Sequence, residues 1–198
     1  MSLEHTLLLI LFVAVATGTP GPANLALIAS GAQNGIRASV PFLVGTLVGF
    51  QAIFWLAACG ALAVVASFPM LWTGLRYACM AYILYLAWHI AVAKITPDQR
   101  DRNAPGFWRG AILHPLNPKA YAMQFAALAQ FASPTHGIRD AVILSLLFLC
   151  LGGVLNAGWM CSGELIRRLA SRPTTFRAIS IVLALLMAGS TLASLQLA

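Results

Sequence analysis

The chain has 198 residues, 60% of them hydrophobic and only 9% charged, with a mean hydropathy of +0.85 and a net charge of +7. Soluble domains carry about a quarter charged residues, so this chain has too few to cover a water-soluble globule. Nucleic-acid binding is excluded as well, because the basic residues are concentrated in short segments between apolar runs, which is the pattern of membrane loops.

A transmembrane helix needs roughly 20 mostly apolar residues, because each adds about 1.5 Å toward a hydrocarbon layer of about 30 Å. Six segments qualify, at about 3–33, 40–66, 70–93, 108–131, 141–163 and 177–197. The first is overlong at about 31 residues, and reads as a bent crossing or as a crossing followed by a re-entrant turn. Its start does not read as a signal peptide: Ala14-Val15-Ala16 resembles a cleavage site, but Glu4 precedes the apolar run and no Lys or Arg does. No separator is long enough to fold alone. The expectation is an all-α integral membrane protein with one domain over 1–198.

Charge sets the orientation. Arg37 follows the first span; Lys94, Arg100, Arg102 and Arg109 separate the third and fourth; Arg167, Arg168, Arg172 and Arg177 separate the fifth and sixth. The opposite side has only Arg76 and Arg139. Basic loops stay cytoplasmic, so both termini are expected in the periplasm, with the protein in a bacterial inner membrane. Trp72, Tyr77, Trp88 and Trp108 fall near the expected interfaces, where an aromatic belt belongs.

Two of the apolar segments are interrupted in the same way. Thr19-Pro20-Gly21-Pro22-Ala23-Asn24 breaks the first, and His114-Pro115-Leu116-Asn117-Pro118-Lys119 breaks the fourth. One offset of 93 residues separates Pro22 from Pro115 and Asn24 from Asn117. Three spans per half is an odd number, so the half-repeats (about 1–95 and 105–198) would cross in opposite senses, a 3+3 inverted repeat. Broken helices in corresponding places of two halves point to a transporter's binding site. Proline removes an N–H and clashes with the carbonyl four residues back, at a cost of about 3 kcal/mol or more. In hydrocarbon the freed carbonyls need partners, which the amides of Asn24 and Asn117 are able to supply. One such kink reads best as structural; two in equivalent places favour a central substrate pathway.

Lys119 adds a charge to the second break. On a straight helix it would lie about 15 Å beyond Arg109, and a cation at that depth faces protein or water unless it snorkels to the headgroups. The acidic residues Glu4, Asp98, Asp101, Asp140 and Glu164 fall in loops or near helix ends, so Lys119 suits an anionic substrate group. Gln51, Gln124 and Asn156 are the other polar residues within spans. Gln124 and Asn156 are candidate pathway residues, whereas Gln51 reads as a helix–helix hydrogen bond. Gly45/Gly49 and Gly152-Gly153 read as close helix contacts. His89 and His114 are placed near cytoplasmic helix ends. Cys59, Cys79, Cys150 and Cys161 show no metal or redox spacing and read as small core or lipid-facing residues.

These motifs resemble the LysE/RhtB amino-acid exporters. The first signature is similar to Thr19-Pro20-Gly21-Pro22-Ala23-Asn24-Leu25 followed by Ala29-Ser30-Gly31 and Asn34-Gly35-Ile36-Arg37. The second is similar to Asn117-Pro118-Lys119-Ala120 with Gln130-Phe131. Tyr82 to Trp88 resembles the family's third helix, and Trp159 to Gly163 with Arg167-Arg168-Leu169 the end of its fifth. The resemblance implies a six-helix exporter of amino acids or close derivatives, driven by protons, with helices 1 and 4 bent by prolines. It carries motif roles to Pro20, Gly21, Pro22, Asn24, Asn117, Pro118 and Lys119. Many members have Asp or Asn after Pro-Gly-Pro, and here that position is Ala23.

The expected function is therefore a secondary exporter working by alternating access, its halves rocking around a central site and Lys119 holding a substrate carboxylate. Its expected partners are an amino-acid substrate, the lipid bilayer and protons, with no nucleic acid and no cofactor; a homo-oligomer is compatible with all of this. An exporter of a metal cation would want carboxylates at mid-depth. A transmembrane thiol–disulfide relay would want a cysteine pair at the breaks. The spans hold neither, and no nucleophile–base set supports an enzyme.

Overall fold

The computed structural model describes residues 3–60, 67–92, 105–133, 137–169 and 173–196. Among these, every regular element is helical. In chain order they are α1 (Leu3–Gly18), α2 (Pro22–Asn34), α3 (Ile36–Ala58), α4 (Pro69–Ala91), α5 (Phe107–Ala111), α6 (Pro118–Phe131), α7 (Gly137–Leu147), α8 (Gly153–Leu169) and α9 (Pro173–Gln196). A π-helical turn over Phe148–Gly152 joins α7 to α8.

Among the described residues, two helices are long and apolar enough to cross a membrane: Ile36–Ala58, and the continuous run Gly137–Arg168 through the π turn. The pair α1 and α2, bent by 59° at its break, makes a third when taken as one span. The expected fourth span is interrupted, since α5 has only five residues and residues 112–116 turn before α6 begins. The straight-helix depth of Lys119 therefore does not apply. Residues 61–66 of the second expected span lie outside the described residues, as do Lys94, Arg100, Arg102 and Arg172, and so do the side chains of Trp72 and Arg76.

The outer surface is apolar. On α3, Val40, Val44 and Val48 recur one turn apart and are 43%, 45% and 48% exposed. Leu185 and Leu186 on α9 and Leu7 and Leu11 on α1 are exposed in the same way. Exposed apolar stripes on this scale mark contact with lipid or a partner. Tyr77, Trp88 and Trp108 are well exposed, as an aromatic belt requires.

Buried residues form two cores. One gathers Leu27, Phe42, Ile83, Leu113, Met160 and Met187. The other gathers Leu9, Val13, Phe54, Tyr121, Leu144 and Phe148. Each draws on helices from both halves of the sequence. Within them, α2 packs along α8, α3 along α5, and α4 along α9.

Glycines set how closely those pairs approach. A Cβ on Gly31 would overlap the Met160 carbonyl, and one on Gly163 the Ile28 carbonyl, so α2 and α8 meet backbone to backbone. Gly45 and Gly49 behave as expected: added Cβ atoms would overlap the carbonyls of Phe107 and Ala111 on α5, and Gly110 faces Phe42 in return. Gly152 and Gly153 do not form such a seam. Their nearest neighbours, Thr17 and Leu47, stand at ordinary contact distances of 3.5 and 3.6 Å. The sharp turn from α2 to α3 is made by Gly35 alone, with φ +83°, a conformation that side chains with a Cβ resist. Beside it, the buried Glu164 carboxylate accepts hydrogen bonds from Arg167 and Arg168 and lies 3.5 Å from the place of a Gly35 Cβ.

Candidate functional site

At the first break, α1 ends at Gly18 and Pro22 starts α2, where a missing N–H does least harm because first-turn amides have no intrahelical partner. The break between α1 and α2 leaves carbonyls at the end of α1 without their intrahelical N–H donors. Asn24 replaces them: its Nδ2 donates to the Thr17 carbonyl at 2.8 Å and to the Thr19 carbonyl at 3.3 Å. At the second break the equivalent asparagine faces the other way. Asn117 Oδ1 accepts from the Lys119 backbone N–H at 3.1 Å and caps α6, with Pro118 in the first turn. The Pro115 carbonyl accepts from Tyr121 Oη at 2.7 Å.

The two breaks meet. Lys119 Nζ donates to the Thr19 carbonyl at 2.7 Å and to Thr19 Oγ1 at 2.9 Å, joining residues 100 apart in sequence. Its stem crosses Gly21, where an added Cβ would lie 2.9 Å from Lys119 Cδ. Lys119 is half-buried and makes no ion pair among the described residues. Three hydroxyl, carbonyl and amine atoms thus tie the end of α1 to the start of α6.

Beneath this bridge lies a cavity lined from both breaks. The first break contributes Thr17, Gly21 and Asn24, and the second His114, Asn117 and Lys119. Phe50 and Gln51 of α3, Phe148 and Gly152 of the π turn, and Asn156 of α8 complete the wall. Water-molecule centres have about 30 Å³ in it, room for about two waters. The π turn was not legible beforehand, although such turns are frequent at functional sites.

Of the residues singled out from the sequence, Gly21, Asn24, Asn117, Lys119 and Asn156 line this cavity. Pro22 and Pro118 shape it by starting α2 and α6. Pro20 and Gln124 do not line it. Pro20 is exposed, and Gln124 is fully buried with its Nε2 donating to the Phe50 carbonyl at 3.2 Å. Gln51 is a helix–helix contact as expected, exchanging hydrogen bonds of 2.8 and 2.7 Å with Ser145.

His114, placed in the second break by the sequence but given no role in the site, is 6% exposed and stands on the cavity wall with its ring edge against Phe50 at 5.1 Å. Neither ring nitrogen has a hydrogen-bond partner. Thr17 and Thr19 were missed too; their positions at the broken end of α1 were the available signal. The cysteines fit their reading, with Cys79 buried and Cys59, Cys150 and Cys161 exposed. Among the described residues no group of three or more His, Cys, Asp or Glu side chains is placed to hold a metal ion.

A profile described as LysE type translocator matches residues 12–194. A cysteine/O-acetylserine efflux protein of Escherichia coli (strain K12) is 30% identical over 177 residues, covering 89% of this chain and 90% of the relative. A protein of the same description from Shigella flexneri serotype 5b (strain 8401) matches to the same extent. No solved structure matches significantly.

Proposed function

Because this chain belongs to the LysE type translocator family, whose members are transporters and not enzymes, we propose that it is a secondary transporter exporting amino acids or close derivatives from the cytoplasm. The observation that carries this reading is the convergence of both breaks on one cavity, with Lys119 bridging them. Lys119 offers three N–H donors, and the helices α2 and α6 both begin at the cavity, where N-termini favour anionic groups. A substrate carboxylate fits that corner. The relatives' cysteine and O-acetylserine are amino acids of this kind, and they make the first substrates to try.

An amino acid is larger than two waters, so the cavity must widen to admit one. A carboxylate competing with the Thr19 oxygens for Lys119 Nζ would release the bridge, and alternating access would follow. Six crossings with both termini in the periplasm, arranged as an inverted repeat, suit that motion and the charge bias of the loops. Protons are the coupling ion in this reading. Ala23 carries no acid, and His114 is the ionisable side chain on the wall besides Lys119.

The test uses purified protein in liposomes, with a panel of labelled amino acids including cysteine and O-acetylserine. Movement against the substrate gradient under an imposed pH gradient, abolished by an uncoupler, is the expected result. Failure to move any amino acid sinks the export reading; movement insensitive to the pH gradient sinks proton coupling alone.

A further inference from the structure

Two more polar atoms on the cavity wall have no hydrogen-bond partner among the described residues: Thr17 Oγ1 and Asn156 Oδ1. Both residues are more than nine-tenths buried, Thr17 at 8% and Asn156 at 5% exposure. Several other polar groups nearby are engaged. The Thr17 carbonyl is taken by Asn24, and Gln51 and Ser145 satisfy each other. Gly152 faces the Thr17 hydroxyl without a side chain, and a Cβ there would stand 3.5 Å from Oγ1. Glycine at 152 thus leaves room for about one methyl-sized group beside the hydroxyl.

A buried acceptor without a donor costs stability, and such exceptions in folded proteins call for a cause. Asn156 Oδ1 only accepts, and a threonine hydroxyl accepts as readily as it donates. Lys119 Nζ only donates. The wall thus has a donor at Lys119 and acceptors at Thr17 and Asn156. An α-amino acid has the complementary poles, a carboxylate that accepts and an ammonium that donates three times.

We propose that Thr17 and Asn156 form the subsite for the substrate's α-ammonium group, so that the transporter reads the whole zwitterion and not a carboxylate alone. This rests on the amino-acid export reading above and adds the group that discriminates amino acids from other carboxylates.

The test measures export of labelled O-acetylserine and cysteine from liposomes at mildly acidic pH, with unlabelled N-acetylserine as competitor. N-acetylserine is the isomer of O-acetylserine whose amine is an uncharged amide. Against the wild-type protein it should compete at least about tenfold more weakly than O-acetylserine, the loss expected for a charge-assisted hydrogen bond. Thr17→Val and Asn156→Leu should each raise KM about tenfold or more and narrow that discrimination. Both should unfold at or above the wild-type temperature, because each removes an unpartnered group. A merely structural role predicts the opposite shift in unfolding and no change in discrimination. Gly152→Ala, whose methyl meets only ordinary contacts, should also raise KM by crowding the hydroxyl. Equal competition by the two isomers, or unchanged KM in all three variants, overturns the subsite. If the wild-type protein moves no amino acid at all, the export reading fails with it; if it moves amino acids and the variants behave as wild type, only the subsite fails.

Discussion

Lys119→Met separates the chemistry of the bridge from its packing. Methionine keeps an unbranched stem to lie across Gly21 and removes only the charged amine. In the structure that amine makes two hydrogen bonds to Thr19, at 2.7 and 2.9 Å, and has no carboxylate partner among the described residues. A hydrogen bond from a charged donor is worth about 1.5–3 kcal/mol, and every 1.4 kcal/mol is about tenfold in affinity. Loss of the substrate's contact with Nζ should therefore raise KM roughly tenfold to a hundredfold. Stability should respond far less. The two lost bonds are offset by relief of a half-buried, unpaired cation, leaving a net change below about 1 kcal/mol, or about 2–4 °C in unfolding temperature for a chain of this size. Export of labelled substrate from liposomes and thermal unfolding of the same preparation read the two quantities. An unchanged KM in a folded Lys119→Met protein would refute the carboxylate role. A loss of ten degrees or more would make the bridge a structural clasp.

Gly163→Ala should lower stability by about 1–3 kcal/mol, since its methyl meets the Ile28 carbonyl and backbone cannot step aside; Gly158→Ala on the same helix, with open space around it, should be neutral by thermal unfolding. Asn24→Ala should cost more than Asn117→Ala, because it strands the buried Thr17 carbonyl at about 1–3 kcal/mol, the Thr19 carbonyl keeping its bond from Lys119, whereas losing a helix cap costs about 1 kcal/mol. Alkaline phosphatase fused after Ala198 should be active, and fused after Arg102 inactive; the reverse pattern would invert the assigned orientation.

Some of this site is legible in residue order because its cause is local. Proline lacks an N–H whatever surrounds it, so Pro22 and Pro118 announce the starts of α2 and α6, and Pro115 the turn before α6. The shared offset marks Asn24 and Asn117 as equivalent, yet the first donates backwards to carbonyls and the second accepts from an amide ahead. That direction depends on which backbone groups the turn leaves free. Thr19 as the partner of Lys119 has no periodic signal, being set by how two distant helices cross. Gly45 and Gly49 declare a seam by their spacing, while Gly31, Gly110 and Gly163 acquire the same role only from what lies opposite. Gln124 runs the other way. A polar residue just over one turn beyond Lys119 reads as part of the pathway, and its amide nitrogen donates to the Phe50 carbonyl.

The glycine seams bear on how such a molecule moves. Gly31 and Gly163 fasten α2 to α8, and Gly45, Gly49 and Gly110 fasten α3 to α5, so each seam links an element before residue 95 to one after residue 105. Two sequence halves rocking apart would have to break both. The alternating access proposed above must therefore leave both seams closed. The unbroken α3, which gives Phe42 to one core and Phe54 to the other, ties those cores together, so the backbone left free to bend is that of the two breaks.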